Sequence, residues 1–186
     1  MAVIAEKRPI VLAAGGTGGH IFPAEALAEV LVAEGLPTVF VTDKRYKQYG
    51  GSVTLGKLPM HTIQAATIGG GTIKKLRNGC GIVIGILQAM WLLKKIRARV
   101  VVGFGGYPSF PTMMAASLLG VPTVIHEQNS VLGRANRVLA KRVKAIATTY
   151  AVTQRMPKNI KARVVWTGNP VRAAVKAVAQ VAQPEL

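Results

Sequence analysis

Acidic residues are scarce in this 186-residue chain: seven Asp and Glu stand against 24 Lys and Arg, a net charge of +17. Five of the seven, Glu6, Glu25, Glu29, Glu34 and Asp43, lie in the first 43 residues. Between Lys44 and Gln183 the only carboxylate side chain is Glu127, among 22 basic residues. Such a surface suits nucleic acid, anionic lipid or a phosphorylated substrate, or it reflects a generally basic protein background. Aromatics make up only 5% and the basic residues are scattered, with no recognition module, which argues against specific nucleic-acid binding. The single cysteine, Cys80, excludes an internal disulfide framework and suits a reducing compartment. The first ten residues lack the long apolar run of a secretory signal, so a cytosolic protein is expected.

Two phosphate-binding motifs are also incomplete. The segment GGTGGH (residues 15–20) has no Lys-Ser/Thr pair to make a Walker loop, and Ile21 stands where a dinucleotide fingerprint needs its third glycine. Asp43 is the nearest acid for a ribose, at the wrong distance. A nicotinamide-dependent oxidoreductase is thereby disfavoured.

Half of the residues are apolar, enough for one well-cored domain. Short continuous apolar runs alternate with helical patterns, which predicts an α/β protein with a doubly wound, Rossmann-like parallel sheet. Strands are expected at 10–14, 38–42, 60–65, 100–104, 123–126, 145–148 and 164–167, and helices at 23–34, 81–97, 109–119, 131–141 and 171–181. The domain is expected over 8–170, with 171–186 beginning a linker to something further.

In such sheets ligands bind at the carboxyl ends of the strands. Those ends read GGTGGH, TDKR, GFGGYP, HEQN and GNPVR. Several glycine turns on one sheet edge point to a cleft. Backbone N–H groups of residues 15–19, at the start of a helix, suit an anion, and His20 stands at the lip of that turn.

Residues 81–93, GIVIGILQAMWLL, are nearly all apolar and are followed by Lys94, Lys95, Arg97 and Arg99. As a helix they reach only about 20 Å, too short to cross a bilayer. Ile73 and Leu76 precede them in a basic loop with Lys74, Lys75 and Arg77. The excess apolar surface, Ile82, Ile86 and Trp91 included, either buries against neighbouring helices or dips into a bilayer interface beside the basic residues.

Four segments in order, GGTGGHIFPA, GFGGYPSFP, HEQNSVLGRANRVLAK and GNPVR, resemble the N-terminal half of the MurG family of peptidoglycan glycosyltransferases over residues 10–172. The resemblance implies one half of a two-domain GT-B enzyme, inverting and independent of metal or cofactor. Such an enzyme moves N-acetylglucosamine from UDP-N-acetylglucosamine to the C4 hydroxyl of undecaprenyl-diphospho-muramyl-pentapeptide (lipid I), making lipid II at the cytoplasmic face of the bacterial inner membrane. It also implies that this half receives the acceptor and meets anionic membrane lipids, while a C-terminal domain, absent here, holds most of the donor. The chain alone is then expected to have little activity. The alternative arrangement is the acceptor and membrane-recruiting subunit of a split two-chain glycosyltransferase.

On the same resemblance Thr17, Gly18, Gly19, Asn129 and Arg172 would meet the donor. Gly15, Gly16, Gly105, Gly106, Tyr107, His126 and Gln128 would line the acceptor site. For the base that activates the attacking hydroxyl there are two candidates. His20 is one, since a neutral imidazole is suited to taking a proton at neutral pH, and Glu127, which could alternatively orient a sugar hydroxyl, is the other. Glu127 is also compatible with a role outside the chemistry, neutralising an Arg or Lys in a positive cleft.

Overall fold

The computed structural model describes residues 8–49, 53–66 and 72–178. Seven strands form one fully parallel sheet: β1 (Ile10–Ala13), β2 (Thr38–Thr42), β3 (Met60–Thr62), β4 (Val100–Gly103), β5 (Thr123–Glu127), β6 (Ala145–Thr148) and β7 (Arg163–Trp166). Their spatial order is β3-β2-β1-β4-β5-β6-β7. The helices are α1 (Gly18–Ala33), α2 (Val53–Gly56), α3 (Thr72–Lys95), α4 (Gly106–Leu118), α5 (Arg134–Leu139) and α6 (Ala173–Val178).

Alternation along the strands builds a core on each face of the sheet, because successive side chains point to opposite sides. Leu12, Ala14, Phe40 and Phe104 meet Ile21, Ala24 and Ala28 of α1, with Tyr46 and Leu55. Val11, Ala13, Val39, Val41, Val101 and Ile125 meet Leu92 and Leu93 of α3, Met113 and Ala116 of α4, and Leu139 of α5. Both faces of the central strands are therefore dry, and β2 is buried at all five positions.

All seven expected strands are present, but several helices begin earlier than the sequence suggests. α1 starts at Gly18 rather than at residue 23. Thr17 is extended (φ −155°, ψ 160°), and its carbonyl accepts from the amides of His20 and Ile21 at 3.1 and 3.2 Å. Pro23 consequently lies inside the helix, where it leaves the Gly19 carbonyl without its usual donor. α4 begins at Gly106 and contains Pro111. α3 begins at Thr72, so the expected basic loop forms the first turns of a helix. Helix α5 is shorter than expected because residues 128–133 are held outside it, with Val131 bridged to Gln154. A 3-10 turn at Lys44–Tyr49 and α2 were not anticipated.

Candidate active site

Between β1 and β4 the strand order reverses direction, and the chain leaves these neighbours into α1 and α4 on opposite faces. A crevice at the carboxyl ends of such strands is the usual ligand position. Here it is a cavity of about 600 Å³ walled by His20, Ile82, Tyr107, Phe110, Asn129 and Asn136, with Gly105 and Gly106 in its floor.

His20 sits in the first turn of α1, half-buried, with its ring laid against Gly105 and Gly106. A Cβ on either glycine would come within 3.2 Å of the imidazole, and at Gly106 it would also stand 2.5 Å from the Gly15 carbonyl oxygen. Both glycines have positive φ, +88° and +71°, so they meet a conformational and a steric demand together. Gly15 is buried against Pro108 and Thr42. Gly16 takes φ +90° in the same turn. The amides of Gly18 and Gly19 open α1, where no intrahelical acceptor exists for them. With exposed Thr17, they form the anion-receptive end of the helix.

His20, Gln128 and His126, far apart in sequence, form a chain of hydrogen bonds. Nδ1 of His20 lies 3.1 Å from Gln128 Oε1. Gln128 Nε2 lies 3.0 Å from Nδ1 of His126 and donates to the His126 carbonyl at 3.1 Å. His126 Nε2 donates to the carbonyl of Gly168 at 3.1 Å. His126 is 4% exposed and lies against Phe104, ring centroids 5.8 Å apart. Burial pushes its pKa below the ordinary histidine value, against the opposing pull of the Gly168 carbonyl and the Glu127 charge.

Glu127, 1% exposed, is saturated. Its Oε1 accepts from the backbone and side-chain N–H groups of Asn129 at 3.1 and 2.9 Å. Its Oε2 accepts from the amide of Gly133 and from Asn136 Nδ2, each at 2.9 Å. No Arg or Lys is its partner among the described residues, so the expected charge-neutralising role does not apply. The carboxylate instead gathers the loop 128–133 and the start of α5. Asn129 is thereby committed to Glu127 through both nitrogens.

The other anticipated residues fall differently. Tyr107 is exposed at the cleft mouth with the Arg45 guanidinium 5.1 Å above its ring. Arg45 donates to Asp43 at 2.6 Å; burial would lower its pKa, but Asp43 and Tyr107 together outweigh that and raise it. Arg172 lies on α1, with its guanidinium 4.1 Å from the Phe22 ring and 3.3 Å from Glu25. Ala173 donates its amide to Glu29 at 2.9 Å, so the expected linker begins as a segment docked on α1.

On α3 the side chains of Ile73, Lys74, Lys75, Leu76 and Arg77 lie outside the described residues. Ile82 walls the cavity and Ile86 packs on the core, so of the two expectations for them burial holds, and the bilayer-facing one is corrected. Trp91 is 64% exposed, with Lys95 over its ring at 4.8 Å. Val83, Ile84 and Leu87 are exposed with it, none of them singled out from the apolar run in the sequence. No described helix is long and apolar enough to cross a membrane. Arg45 and Asn136 were also missed. TDKR at a strand end was a signal for the first. The second had none, since a lone Asn in a helical pattern reads as surface.

Residues 10–148 match the glycosyltransferase family 28 N-terminal domain. The chain is 53% identical over 170 residues to the UDP-N-acetylglucosamine--N-acetylmuramyl-(pentapeptide) pyrophosphoryl-undecaprenol N-acetylglucosamine transferase of Rhodospirillum centenum, covering 91% of this chain and 44% of that protein. It is 51% identical over 173 residues to the enzyme of the same name from Paramagnetospirillum magneticum, covering 92% and 46%. The chain thus spans a little under half the length of these relatives. The crystal structure of Acinetobacter baumannii MurG superposes with a TM-score of 0.68 at 30% identity, over 90% of this chain and 47% of that one. A Polygonum tinctorium UDP-glucosyltransferase shares the fold, TM-score 0.58 at 10% identity, over 95% of this chain and 55% of that one. The chain belongs to the glycosyltransferase family 28 N-terminal domains.

Proposed function

We propose that this chain is the acceptor half of an inverting transferase that moves N-acetylglucosamine from UDP-N-acetylglucosamine to the C4 hydroxyl of lipid I. The observation that carries this reading is His20, set between two helix N-termini at the switch point and lining the cavity. Both diphosphates of the reaction are anions, and the amide-lined starts of α1 and α4 suit them. The acceptor hydroxyl would enter the cavity beside Tyr107 and Phe110 and lose its proton to His20 as the bond to the sugar forms. Glu127, held by four N–H donors, shapes the loop that carries Asn129 towards the donor. The segment from Arg172 onward leads to the donor-binding half.

Peripheral attachment to the cytoplasmic face of the inner membrane belongs to the same reading. The exposed stripe of Val83, Leu87 and Trp91 on α3 lies on the helix that walls the cavity through Ile82. It would enter the bilayer interface while neighbouring basic residues meet anionic headgroups.

The test joins this chain to the donor half of a relative and follows transfer of labelled N-acetylglucosamine to a soluble lipid I analogue. The chain alone should give no transfer, and the joined protein should. His20→Ala in the joined protein should lower kcat by about 10²- to 10⁴-fold, the usual worth of a general base. Turnover near that of the unsubstituted protein would remove His20 from that role.

A further inference from the structure

The bonds that link His20, Gln128, His126 and Gly168 are directional, and their direction can be derived from one end. The Gly168 carbonyl only accepts, so His126 carries its proton on Nε2, 3.1 Å away. A neutral imidazole protonated there has a bare Nδ1, which needs a donor, and Gln128 Nε2 stands 3.0 Å from it. The Gln128 amide cannot be turned round, because the same nitrogen lies 3.1 Å from the His126 carbonyl, and a flip would set oxygen against oxygen. Gln128 therefore presents Oε1 to His20, 3.1 Å from Nδ1, and His20 must carry its proton there. The lone pair is left on Nε2, which has no protein partner among the described residues. An unconstrained histidine side chain favours the opposite form, with the proton on Nε2.

We propose that Gln128 and His126 are positioning residues that hold His20 in its Nδ1–H tautomer, with the main-chain carbonyl of Gly168 setting the direction of the chain. This replaces the acceptor-contacting role that resemblance implies for Gln128 and His126, and it rests on His20 being the base. Gly168 opens the GNPVR turn after β7, and four residues later Arg172 is anchored on α1 beside Phe22 and Glu25. The segment that leads out of the domain thus also holds the imidazole in the form that can take a proton.

The test is read first on this chain itself, by two-bond nitrogen–proton correlation of ¹⁵N-histidine at about pH 7.5, above the ordinary histidine range. With only three histidines the spectrum is simple. His20 should show the Nδ1–H pattern and His126 the Nε2–H pattern. Gln128→Leu, which removes the acceptor for Nδ1, should move His20 to the Nε2–H form, while His126 keeps its own proton on Nε2 against the Gly168 carbonyl. An Nε2–H pattern for His20 in the unsubstituted chain overturns the proposal, and that spectrum decides even if Gln128→Leu fails to fold. An Nδ1–H pattern for His20 retained in folded Gln128→Leu also overturns it, since the amide oxygen would then have no part in setting the tautomer. In the chain joined to a donor half, Gln128→Leu should lower kcat roughly 10-fold or more with donor KM unchanged. If His20→Ala keeps its turnover there while the tautomers are as described, the base reading fails and the orienting chain stands.

Discussion

Glu127 shows what a buried carboxylate does when every lone pair is engaged. Four N–H groups converge on it from Asn129, Gly133 and Asn136. Glu127→Gln would keep the shape but turn one acceptor into a donor facing donors. Hydrogen bonds to charged groups are worth about 1.5–3 kcal/mol each and a mispaired buried group costs about 1–3 kcal/mol, so a loss of roughly 2–4 kcal/mol is expected. Urea unfolding of this chain checks it. An unchanged midpoint, together with lost turnover in the joined protein, would return Glu127 to the position of base. His126 makes a pH-dependent contribution at the same scale. It is held neutral by burial, with its folded pKa below the ordinary 6.5. Below that ordinary value the unfolded chain takes up a proton that the folded one does not. The stability it supplies is therefore whole above about pH 6.5, and is lost as pH falls through the lowered folded value. Urea midpoints at about pH 7.5 and about pH 5.5 should differ less in His126→Gln than in the unsubstituted chain. An equal fall in both would assign the effect to other groups.

Helix α3 carries two kinds of glycine, and they predict opposite outcomes. A Cβ on Gly85 would overlap the Gln64 carbonyl oxygen and lie 3.2 Å from Pro111 Cβ, whereas one on Gly79 meets nothing within 4 Å. Gly85→Ala must therefore push α3 away from the Gln64 backbone and should cost about 1–3 kcal/mol. Gly79→Ala should stabilise by roughly 0.5–1 kcal/mol through helix propensity. Thermal unfolding of the two variants separates these cases, and a stabilised Gly85→Ala would contradict the close packing. The same helix shows why its boundary was hard to read. Gly79, Gly81 and Gly85 look like breakers in the sequence, yet Gly81 and Gly85 are where α3 meets Gln64 and α4. Likewise Gly18, Gly19 and Pro23 disguised the first turn of α1. The strands were legible because burial on both faces demands continuous Val and Ile, a demand visible locally. His20 and the glycine turns were legible as parts of a cleft, since strand ends in such sheets converge. The contacts from Gln128 to His20 and from Glu127 to Asn136 span 108 and 9 residues. They depend on which loops the sheet order brings together, which no local pattern records.

At the scale of the molecule, a charge of +17 and an apolar stripe on one helix should act together on a surface. Each basic residue near an anionic bilayer contributes about 1 kcal/mol, and that attraction is screened within a Debye length of roughly 10 Å at 0.1 M salt. The stripe contributes a term that salt does not screen, from Val83 at 56%, Leu87 at 59% and Trp91 at 64% exposure. Burying such side chains yields up to about 1.5–3 kcal/mol each. Co-sedimentation with vesicles containing anionic lipid should therefore weaken about 10-fold or more between roughly 0.05 and 0.5 M salt without vanishing. Leu87→Glu, on an exposed position where folding is little affected, should remove most of the residual binding at high salt. It should leave a weaker low-salt component that is wholly salt-sensitive. Equal binding to neutral phosphatidylcholine vesicles would show that charge has no part in attachment. Full retention of high-salt binding in Leu87→Glu would show that the stripe has none, and that the exposed apolar face of α3 serves another partner.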